Sequence, residues 1–329
     1  MDHYFPSPIF LEIFYNKKNI LDSVDYLDIR YQMIVMQMEK KESTLPFVSV
    51  IVPTLNRKLQ LANCLTSILN LDYPKSKIEI IVVDNGSTDG TKEMICKKFK
   101  SIRVVLEKRP GASYARNTGG NVAKGEILAF TDDDCIVDRN WLKNLVNAFR
   151  SAKIGAVGGP VSLLRADIFP KNLLKWGGLG FFSLGEAERT TELIVSGNLA
   201  IRNKIFKTTK FDVIFGQRNT LIYRWEEDIE FSLRLLRLGY VLLFVPTAKV
   251  YHDVKPGRVG LKYVMDKEFS GGLSHYMVKR KYKGKLLIGI NSLRSFIGAL
   301  IVFYQIRSIS SFSWLVKMAA MVIASIFLP

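Results

Sequence analysis

Three consecutive aspartates follow an apolar stretch near the middle of the chain. Asp132, Asp133 and Asp134 follow the run "EILAF" after one threonine, and the sequence there reads "FTDDDC". Carboxylates this close raise one another's pKa unless a positive charge lies among them. Hard divalent cations prefer carboxylate oxygens as ligands. The triplet is therefore either a metal-binding group at the end of a strand or a cap for the helical stretch "RNWLKN" that follows.

A second acidic cluster opens a helical pattern further along the chain. The stretch "WEEDIEF" (225–231) places Glu226, Glu227 and Asp228 in front of apolar residues that recur at helical spacing up to position 240. Carboxylates at the start of a helix are stabilised by the helix dipole, whether or not they take part in chemistry. A carboxylate in such a place is also a candidate general base.

The elements that must position these groups alternate between strand and helix patterns. Short apolar runs are separated by segments with helical periodicity, and the runs are "FVSVIVP" (47–53), "IEIIVVDN" (78–85), "IRVVLE" (102–107) and "EILAFTD" (126–132). Near-continuous apolar strands that alternate with helices are typical of a parallel sheet covered on both faces. The sequence therefore predicts an α/β fold.

Polar residues follow three of these runs at the point where each strand ends. The first strand ends in "PTLN" (53–56), the second in "DNGST" (84–88) and the fourth in "TDDD" (131–134). Each group alone could be ordinary turn chemistry. In open α/β sheets, however, ligands bind outside the carboxyl ends of the strands. The coincidence of all three groups at one edge favours a binding site there.

The composition excludes several classes of protein. The chain has 329 residues, of which 48% are hydrophobic and 23% charged, and this is a globular rather than a disordered composition. Its three cysteines, Cys64, Cys96 and Cys135, form no CxxC pair. A disulfide framework or a structural zinc site is therefore not expected, and a reducing compartment is favoured.

Positive charge is concentrated before two apolar segments near the C-terminus. Residues 249–285 contain ten Lys or Arg against three Asp or Glu, a net charge of +7 within a total of +17. Residues 286–306 and 312–329 then carry one charge each, Arg294 and Lys317. Their lengths suit either a pair of membrane helices or a pair of buried core helices. The preceding "KRKYKGK" (279–285) favours the membrane reading with a cytoplasmic basic flank.

Six sequence blocks together resemble one known family. In order, they are "VSVIVPTLNR", "VVDNGSTDGT", "RPGASYARNTG", "AFTDDDC", "SGNLAIRN" and "WEEDIEFSLRLLRLGY". Their order and spacing are similar to those of family 2 glycosyltransferases, which have the GT-A fold, and the match covers roughly 47–253. The resemblance implies transfer of a sugar from a nucleotide-diphosphate donor, with Mg²⁺ or Mn²⁺ as cofactor and inversion at the anomeric carbon.

The resemblance also implies roles for individual residues. Asp134 is the first choice as metal ligand, with Asp132 and His252 completing the set, although a lone histidine is also commonly structural. Asp228 is the expected general base, with Glu227 and Glu230 as the other choices, because Glu226 replaces the glycine usual before the Glu-Asp pair. The acceptor side is assigned to Gly197, Asn198 and Trp225. The donor-binding residues are Pro53, Thr54, Asn56, Asp84, Asn85, Arg116, Asn117, Asp132 and Asp133.

The expected architecture is a Rossmann-like, mostly parallel sheet flanked by helices, followed by membrane-associating helices. An N-terminal extension over 1–45, disordered in part and without a signal peptide, precedes a catalytic domain over 46–255. A basic segment over 256–285 and a hydrophobic helical hairpin over 286–329 follow. The aspartate that ends the second strand, Asp84, suits the imide N–H of uracil, so a UDP-sugar donor is favoured.

The sequence thus predicts an enzyme of the cell membrane whose catalytic domain faces the cytoplasm. Its partners would be a nucleotide-sugar donor, a lipid-linked or glycan acceptor and an anionic membrane surface. One alternative is a nucleotide-sugar-binding protein on the same fold without catalysis. A second is a basic nucleic-acid-binding protein, which the pI of about 9.7 allows. No nucleic-acid partner is expected, because the excess charge adjoins apolar segments rather than interleaved aromatics.

Overall fold

The computed structural model describes the central part of the chain and several short pieces near its C-terminus. The described residues are 45–169, 182–216, 226–254, 261–283, 315–317, 319–320 and 323. From Pro46 onward they belong to one compact unit. Residues 1–44 of the predicted extension over 1–45 and nearly all of the predicted hairpin over 286–329 lie outside the described residues.

The elements follow the order that the sequence pattern predicts. The strands are β1 (Val48–Thr54), β2 (Ile78–Asp84), β3 (Arg103–Leu106), β4 (Ile127–Thr131), β5 (Cys135–Val137), β6 (Ile154–Gly158), β7 (Val161–Leu163), β8 (Arg189–Thr191), β9 (Asn198–Arg202), β10 (Val241–Phe244) and β11 (Val250–His252). The α-helices are α1 (Lys58–Leu69), α2 (Thr91–Lys98), α3 (Ala112–Val122), α4 (Trp141–Asn147), α5 (Asn203–Thr209), α6 (Glu227–Arg237) and α7 (Leu261–Lys283). The four predicted apolar runs are β1 to β4, which confirms that part of the prediction.

The larger sheet has the strand order β3-β2-β1-β4-β9-β6-β10-β8. Strands β1, β2, β3 and β4 pair in parallel, and β6 pairs in parallel with β10. The carboxyl ends of β1, β2 and β4 therefore meet at one edge, as expected for consecutive strand–helix units.

Six of the eight described strands run in one direction, so the sheet is mostly parallel as predicted, and β9 is one of the two strands that run the other way. It is antiparallel to both of its neighbours, β4 and β6. Asn198, its first residue, pairs with Thr131, the last residue of β4. The chain thus enters β9 from the edge at which β4 ends. This reversal brings the segment before β9 to the same edge as the acid triplet.

A smaller sheet covers that edge, with the order β5-β11-β7. Strand β5 begins directly after the triplet and pairs antiparallel with β11. In this register His252 lies opposite Cys135. The backbone N–H of Asp253 also donates to the carbonyl oxygen of Asp134, at 2.8 Å. Strand pairing therefore explains why a histidine far along the sequence reaches the triplet.

The glycines of α3 serve close packing rather than fraying of the helix. A Cβ on Gly119 would lie 2.5 Å from Cγ2 of Ile51, and one on Gly120 would lie 2.1 Å from the ring of Phe206. Only a residue without a side chain allows α3 to lie this close to the sheet and to α5. The helix consequently runs unbroken to Val122 and holds its polar residues at fixed positions.

Helix α7 is long, but it is not of the membrane-spanning kind. Among the described helices, none has both the length and the apolar character needed to cross a bilayer. Gly272 of α7 lies against a short helical stretch at 315–317, where an added Cβ would approach the carbonyl oxygen of Lys317 to 2.2 Å. This close contact brings the C-terminal residues against α7.

Candidate active site

The predicted strand ends meet at one edge of the large sheet. Thr54 at the end of β1 pairs in register with Asp84 at the end of β2. Thr131 ends β4, and the acid triplet forms the turn between β4 and β5. The N-terminal ends of α3 and α6 complete the site, because Arg116 and Glu227 contact each other across it, at 2.9 Å.

Asp133 holds the triplet to the end of β1. Its carboxylate accepts hydrogen bonds from Oγ1 of Thr54 and from Nη1 of Arg57, both at 2.8 Å. The side chain is only 7% exposed. Burial raises the pKa of Asp133, and the guanidinium of Arg57 opposes that rise. Asp133 therefore fixes the turn between β4 and β5 against the end of β1.

Asp134 lies between a guanidinium and an imidazole. Nη1 of Arg57 donates to Oδ2 of Asp134, and Nε2 of His252 lies 3.3 Å from the same oxygen. Burial alone would lower the pKa of Arg57, but the carboxylates of Asp133 and Asp134 outweigh burial and raise it. The positive charge that a triplet of carboxylates requires is thus supplied here by the protein itself.

The donor set at this turn is compatible with a divalent cation. Within the described residues, no group of three or more His, Cys, Asp or Glu side chains is already gathered as a metal cage. Asp134 nevertheless brings a carboxylate oxygen next to an imidazole nitrogen of His252. The other ring nitrogen, Nδ1 of His252, is buried and meets no hydrogen-bond partner in the described part of the chain. Carboxylate and imidazole ligands together suit Mn²⁺, whereas carboxylates alone suit Mg²⁺.

Arg116 links the two acidic clusters. Its Nη2 donates to Oδ1 of Asp132 at 2.7 Å, and its Nη1 donates to Oε1 of Glu227 at 2.9 Å. The Arg116 side chain is 4% exposed, so it is not the solvated helix residue that its position alone would suggest. Burial lowers the pKa of Arg116, but the two carboxylates outweigh burial and raise it. This bridge makes one site out of two clusters that are about 95 residues apart in sequence.

The predicted donor-binding residues of the first two strands form a connected loop system. The backbone N–H of Asn56 donates to Oγ of Ser87, and Oδ1 of Asn56 accepts from the N–H of Thr88, at 3.0 and 2.7 Å. Asp84 is buried and accepts from the N–H of Ser87 at 2.8 Å. Asn56 has a φ of 53°, a left-handed conformation that asparagine tolerates better than most residues. Pro53, also a predicted donor-binding residue, is buried.

Asn85 and Asn117 have side chains that are engaged with the backbone. Asn85 donates to the carbonyl oxygens of Glu107 and Arg109 and accepts from the N–H of Gly111. Asn117 donates to the carbonyl oxygen of Phe211 at 2.8 Å and accepts from its N–H at 2.9 Å. These amides stabilise the loops around the site, and their direct contact with the donor stays a prediction.

The three residues predicted on the acceptor side have different surroundings. Asn198 is fully buried and donates to the carbonyl oxygens of Pro160 and Ala248, while Trp141 donates to its Oδ1. These three contacts stabilise the fold around Asn198, and its place on the acceptor side stays a prediction. At Gly197, an added Cβ would lie 2.9 Å from Oδ2 of Asp132, so glycine keeps the space beside that carboxylate open. Trp225 lies outside the described residues.

Asp228 is the carboxylate at the start of α6 whose surroundings favour proton transfer. It is partly buried, and the hydrogen bond that it accepts comes from the backbone N–H of Ile229 at 2.9 Å. Burial and the neighbouring charge of Glu227 raise the pKa of Asp228 to about 7, against the opposing effect of Arg116. A carboxylate that titrates near neutral pH suits a general base.

The other two candidate bases are held in ion pairs. Glu227 contacts Arg116, as described above. Glu230 is fully buried and accepts hydrogen bonds from Arg234, Lys281 and Tyr282. Burial raises the pKa of Glu230, but its hydrogen bonds to Arg234 and Lys281 outweigh burial and lower it. The structure therefore separates Asp228 from its acidic neighbours.

Arg57 is the site residue that the sequence-based assignment left out. It follows "PTLN" directly, so the sequence already placed a cation at the same sheet edge as the three aspartates. This position was the signal from which its contact with them could have been predicted. The two carboxylate partners of Arg57 depend on the turn after β4, which the sequence pattern does not define.

The three cysteines are free thiols, in agreement with the absence of a predicted disulfide framework.

Comparison with known proteins places this site in a family. Residues 49–209 match the family described as Glycosyl transferase family 2. The Glycosyltransferase AglE of Haloferax volcanii is 44% identical over 124 residues, which are 36% of this chain and 40% of that protein. A dolichyl N-acetyl-alpha-D-glucosaminyl phosphate 3-beta-D-2,3-diacetamido-2,3-dideoxy-beta-D-glucuronosyltransferase of Methanococcus voltae is 25% identical over 221 residues, 61% of this chain and 64% of that protein. The chain thus covers less than two thirds of either relative.

The fold also matches a solved structure. The mannosyltransferase PcManGT from Pyrobaculum calidifontis, solved in complex with GDP-Man and Mn²⁺, superposes with a TM-score of 0.57. The match covers 91% of this chain and 93% of that one, at 19% sequence identity. At this identity the likeness establishes the fold, a mixed α/β arrangement around a large central sheet.

Proposed function

From the premise that this chain is a family 2 glycosyltransferase, we propose that it moves a sugar from a nucleotide-diphosphate donor to an acceptor hydroxyl with inversion. The observation that carries the proposal is the bridge of Arg116 between Asp132 and Glu227. It joins an acidic strand end, suited to a metal and a diphosphate, to a helix start that contains a carboxylate with a raised pKa. Both parts of a transfer reaction are then present at one edge of the sheet.

The donor is assigned to the side of the site formed by β1, β2 and the triplet. Asp134, Asp132 and His252 would hold Mg²⁺ or Mn²⁺, and the metal would neutralise the negative charge of the leaving diphosphate. The solved mannosyltransferase with the same fold contains Mn²⁺, which supports a divalent cation without deciding between the two metals. Arg57 and Arg116 already lie against the triplet and contribute positive charge at the same place.

The base of the nucleotide is assigned to the loops that follow β1 and β2. Asp84 is buried at the end of β2, and one of its carboxylate oxygens is engaged by the N–H of Ser87. A carboxylate oxygen can accept the imide N–H of uracil, so a UDP-sugar donor is favoured. The mannosyltransferase of the same fold was solved with GDP-Man, so the fold alone does not select the base.

Asp228 is assigned as the general base that deprotonates the acceptor. Inversion requires the acceptor to attack opposite the leaving diphosphate, so the base must lie on a segment other than the one that holds the metal. Helix α6 provides that segment, and Arg116 fixes its distance from the triplet. Glu227 is held by Arg116 and Glu230 by Arg234 and Lys281, which leaves Asp228 as the best candidate.

The acceptor is proposed to be lipid-linked or a growing polysaccharide at the cytoplasmic face of the cell membrane. The basic excess over 249–285 and the apolar segments that follow it support this location. The relative from Methanococcus voltae has a name that describes a dolichyl phosphate-linked substrate, which is consistent with such an acceptor. An anionic membrane is therefore a proposed partner, and a nucleic acid is not.

A thermal-shift panel tests the donor assignment. UDP, GDP and dTDP are each added with and without Mn²⁺, and a ligand at 100 times its dissociation constant should stabilise the fold by about 2.7 kcal/mol. We expect the largest shift with UDP and Mn²⁺ together. Equal shifts with and without Mn²⁺ would remove the metal from the proposal, and no shift with any nucleotide would contradict donor binding.

A transfer assay separates catalysis from mere binding. UDP release from UDP-glucose and UDP-N-acetylglucosamine is measured with vesicles that contain polyprenyl phosphate. Release that depends on the vesicles supports a lipid-linked acceptor. Tight UDP binding without release from either donor would favour the non-catalytic binding protein, and salt-sensitive binding to DNA but not to anionic vesicles would favour the nucleic-acid reading.

A further inference from the structure

Glu226, the residue before the Glu-Asp pair, has a backbone conformation that glycine would adopt more easily. Its φ is 72° and its ψ is 23°, in the left-handed region. A residue with a side chain is held in this region only when its surroundings fix it there, and such positions are frequent at functional sites. Glu226 caps the start of α6, and its carbonyl oxygen accepts the N–H of Glu230 at 3.0 Å. The backbone conformation of Glu226 therefore sets the orientation of the first turn of α6, which contains Glu227 and Asp228.

The side chain of Glu226 is held by two residues from the C-terminal part of the chain. Nδ1 of His275, on α7, lies 2.9 Å from Oε2 of Glu226, and Nζ of Lys317 donates to Oε1 at 3.3 Å. The carboxylate is 7% exposed, while His275 and Lys317 are 26% and 30% exposed. A carboxylate this buried needs such partners, because an unpaired buried charge is strongly destabilising.

The two partners are themselves fixed relative to each other. Gly272 lies three residues before His275 on α7. Because it has no side chain, the stretch around Lys317 can lie directly on that helix. Further along α7, Lys281 and Tyr282 both donate to Oε1 of Glu230, the buried residue one turn after Glu226. The C-terminal helical residues thus contact α6 at two successive turns on its buried side.

We propose that Glu226 is a positioning residue through which His275 and Lys317 fix the start of α6 and the charge around Asp228. The inference rests on the proposed function, in which Asp228 is the general base. The C-terminal helical residues then belong to the catalytic machinery in addition to any role at a membrane. Glycine would adopt this backbone conformation more easily. It could not, however, form the ionic contact that Glu226 makes with the C-terminal part of the chain.

The charges that face Asp228 make the proposal testable by pH. They come from Glu226 and Glu227 on its own segment and from Arg116 on α3, and the negative charges of the two glutamates raise the pKa of Asp228. Beyond Glu226 lie His275 and Lys317. Removing the charge of Glu226 should lower the pKa of Asp228, so activity should rise at lower pH. Removing the charge of Lys317 leaves the charge of Glu226 less compensated, so the pKa of Asp228 and the pH at which activity rises should both increase.

The experiment measures kcat, KM for UDP-glucose and the pH profile of UDP release for E226Q, E226G and K317M. We expect kcat to fall about tenfold in E226Q and E226G, as for a modest displacement of a reacting group, with KM changed by less than about twofold. The acidic limb should move to lower pH in E226Q and to higher pH in K317M. Wild-type kcat in E226G would overturn the proposal, as would limb shifts of the same sign in E226Q and K317M.

Two sets of controls separate this proposal from its premise. Asp72 and Lys143 form a comparable pair on the surface, 3.4 Å apart and about half exposed, so D72N and K143M should leave kcat and the limb unchanged. H275Q is included because His275 contacts Glu226 directly, and loss of the acidic limb in H275Q would overturn the role of Asp228 in that limb. Activity retained in D228N would contradict the proposed function. An inactive D228N with wild-type behaviour in E226Q and K317M would overturn the inference alone.

Discussion

The acid triplet after β4 and the acidic start of α6 contain the same kind of side chain in different surroundings. At the triplet, Arg57 and Arg116 compensate all three carboxylates. At the start of α6, Glu227 has Arg116 as its partner, whereas among the described residues Asp228 forms no ion pair with a Lys or Arg. The carboxylates of the first cluster are therefore all paired with arginines, whereas the second cluster contains a carboxylate, Asp228, whose pKa is raised to about 7.

This difference assigns a separate role to each region. Carboxylates that are paired with guanidinium groups can exchange one cation for another, which suits a metal and a diphosphate. A carboxylate whose pKa is raised to about 7 can accept a proton from an acceptor hydroxyl near neutral pH. Arg116 belongs to both regions, so it fixes the distance between the triplet and the start of α6.

The largest expected effect comes from removing the proposed base. In D228N the amide cannot accept a proton, and a positioned general base contributes about 10²- to 10⁴-fold to the rate. We expect kcat for UDP release to fall within that range, while the amide preserves the shape of the site. E227Q serves as the matched variant. A larger loss in E227Q than in D228N would move the base to Glu227.

The next effect concerns the bridge between the regions. R116M removes the buried cation and leaves Asp132 and Glu227 without their partner, and breaking a buried ion pair costs about 3 kcal/mol or more. We expect the free energy of unfolding, measured with urea, to fall by about that amount. R150M, which breaks the exposed pair with Glu188, should change it by less than about 1 kcal/mol. Equal effects of the two variants would contradict the structural role of Arg116.

The pH dependence of the rate follows from the raised pKa of Asp228. The base acts only when ionised, so protonation below its pKa of about 7 removes activity. We expect kcat to fall about tenfold per pH unit in acid and to level off above neutrality, provided that Asp228 is the only essential base. The profile is measured between pH 5 and pH 9, a range chosen as about two units to either side of 7. A rate that stays constant from pH 5 to pH 7 would contradict an Asp228 base with this pKa.

The smallest effect is expected at the support of the triplet. T54V removes the hydroxyl that donates to Asp133 and leaves that buried carboxylate with one fewer partner. We expect the free energy of unfolding to fall by about 1 to 2 kcal/mol. T66V on the exposed side of α1 is the matched control, and its change should be below about 0.5 kcal/mol. Equal losses in both variants would show that the Thr54 contact is unimportant.

Much of the sheet could be predicted because local patterns define it. The apolar runs that became β1 to β4 alternate with helical periods, and their polar ends meet at one edge as the parallel-sheet rule requires. The family assignment from six sequence blocks is confirmed by the match over residues 49–209. Strand β9 shows the limit, since its antiparallel pairing with β4 joins Thr131 to Asn198, which are far apart in sequence.

The positions of many predicted site residues followed from the sequence, whereas the partners of their side chains did not. Asn117 and Asn198 lie beside the site, but backbone and indole groups bind their amides, and no sequence pattern reveals such partners. Arg57 was missed because its contacts depend on a turn about 76 residues away in sequence. The left-handed Glu226 was visible only as a departure from the usual glycine, and its partners His275 and Lys317 depend on tertiary packing.

The most direct test of separate roles is a calorimetric titration of UDP into D134A and D228N, each with and without Mn²⁺. We expect D134A to lose about tenfold or more in Mn²⁺-dependent affinity, as for the loss of a metal contact. D228N should bind UDP with the wild-type affinity while its transfer rate is lost. Unchanged Mn²⁺-dependent binding in D134A, or equally weakened binding in both variants, would contradict the division between the triplet and the start of α6.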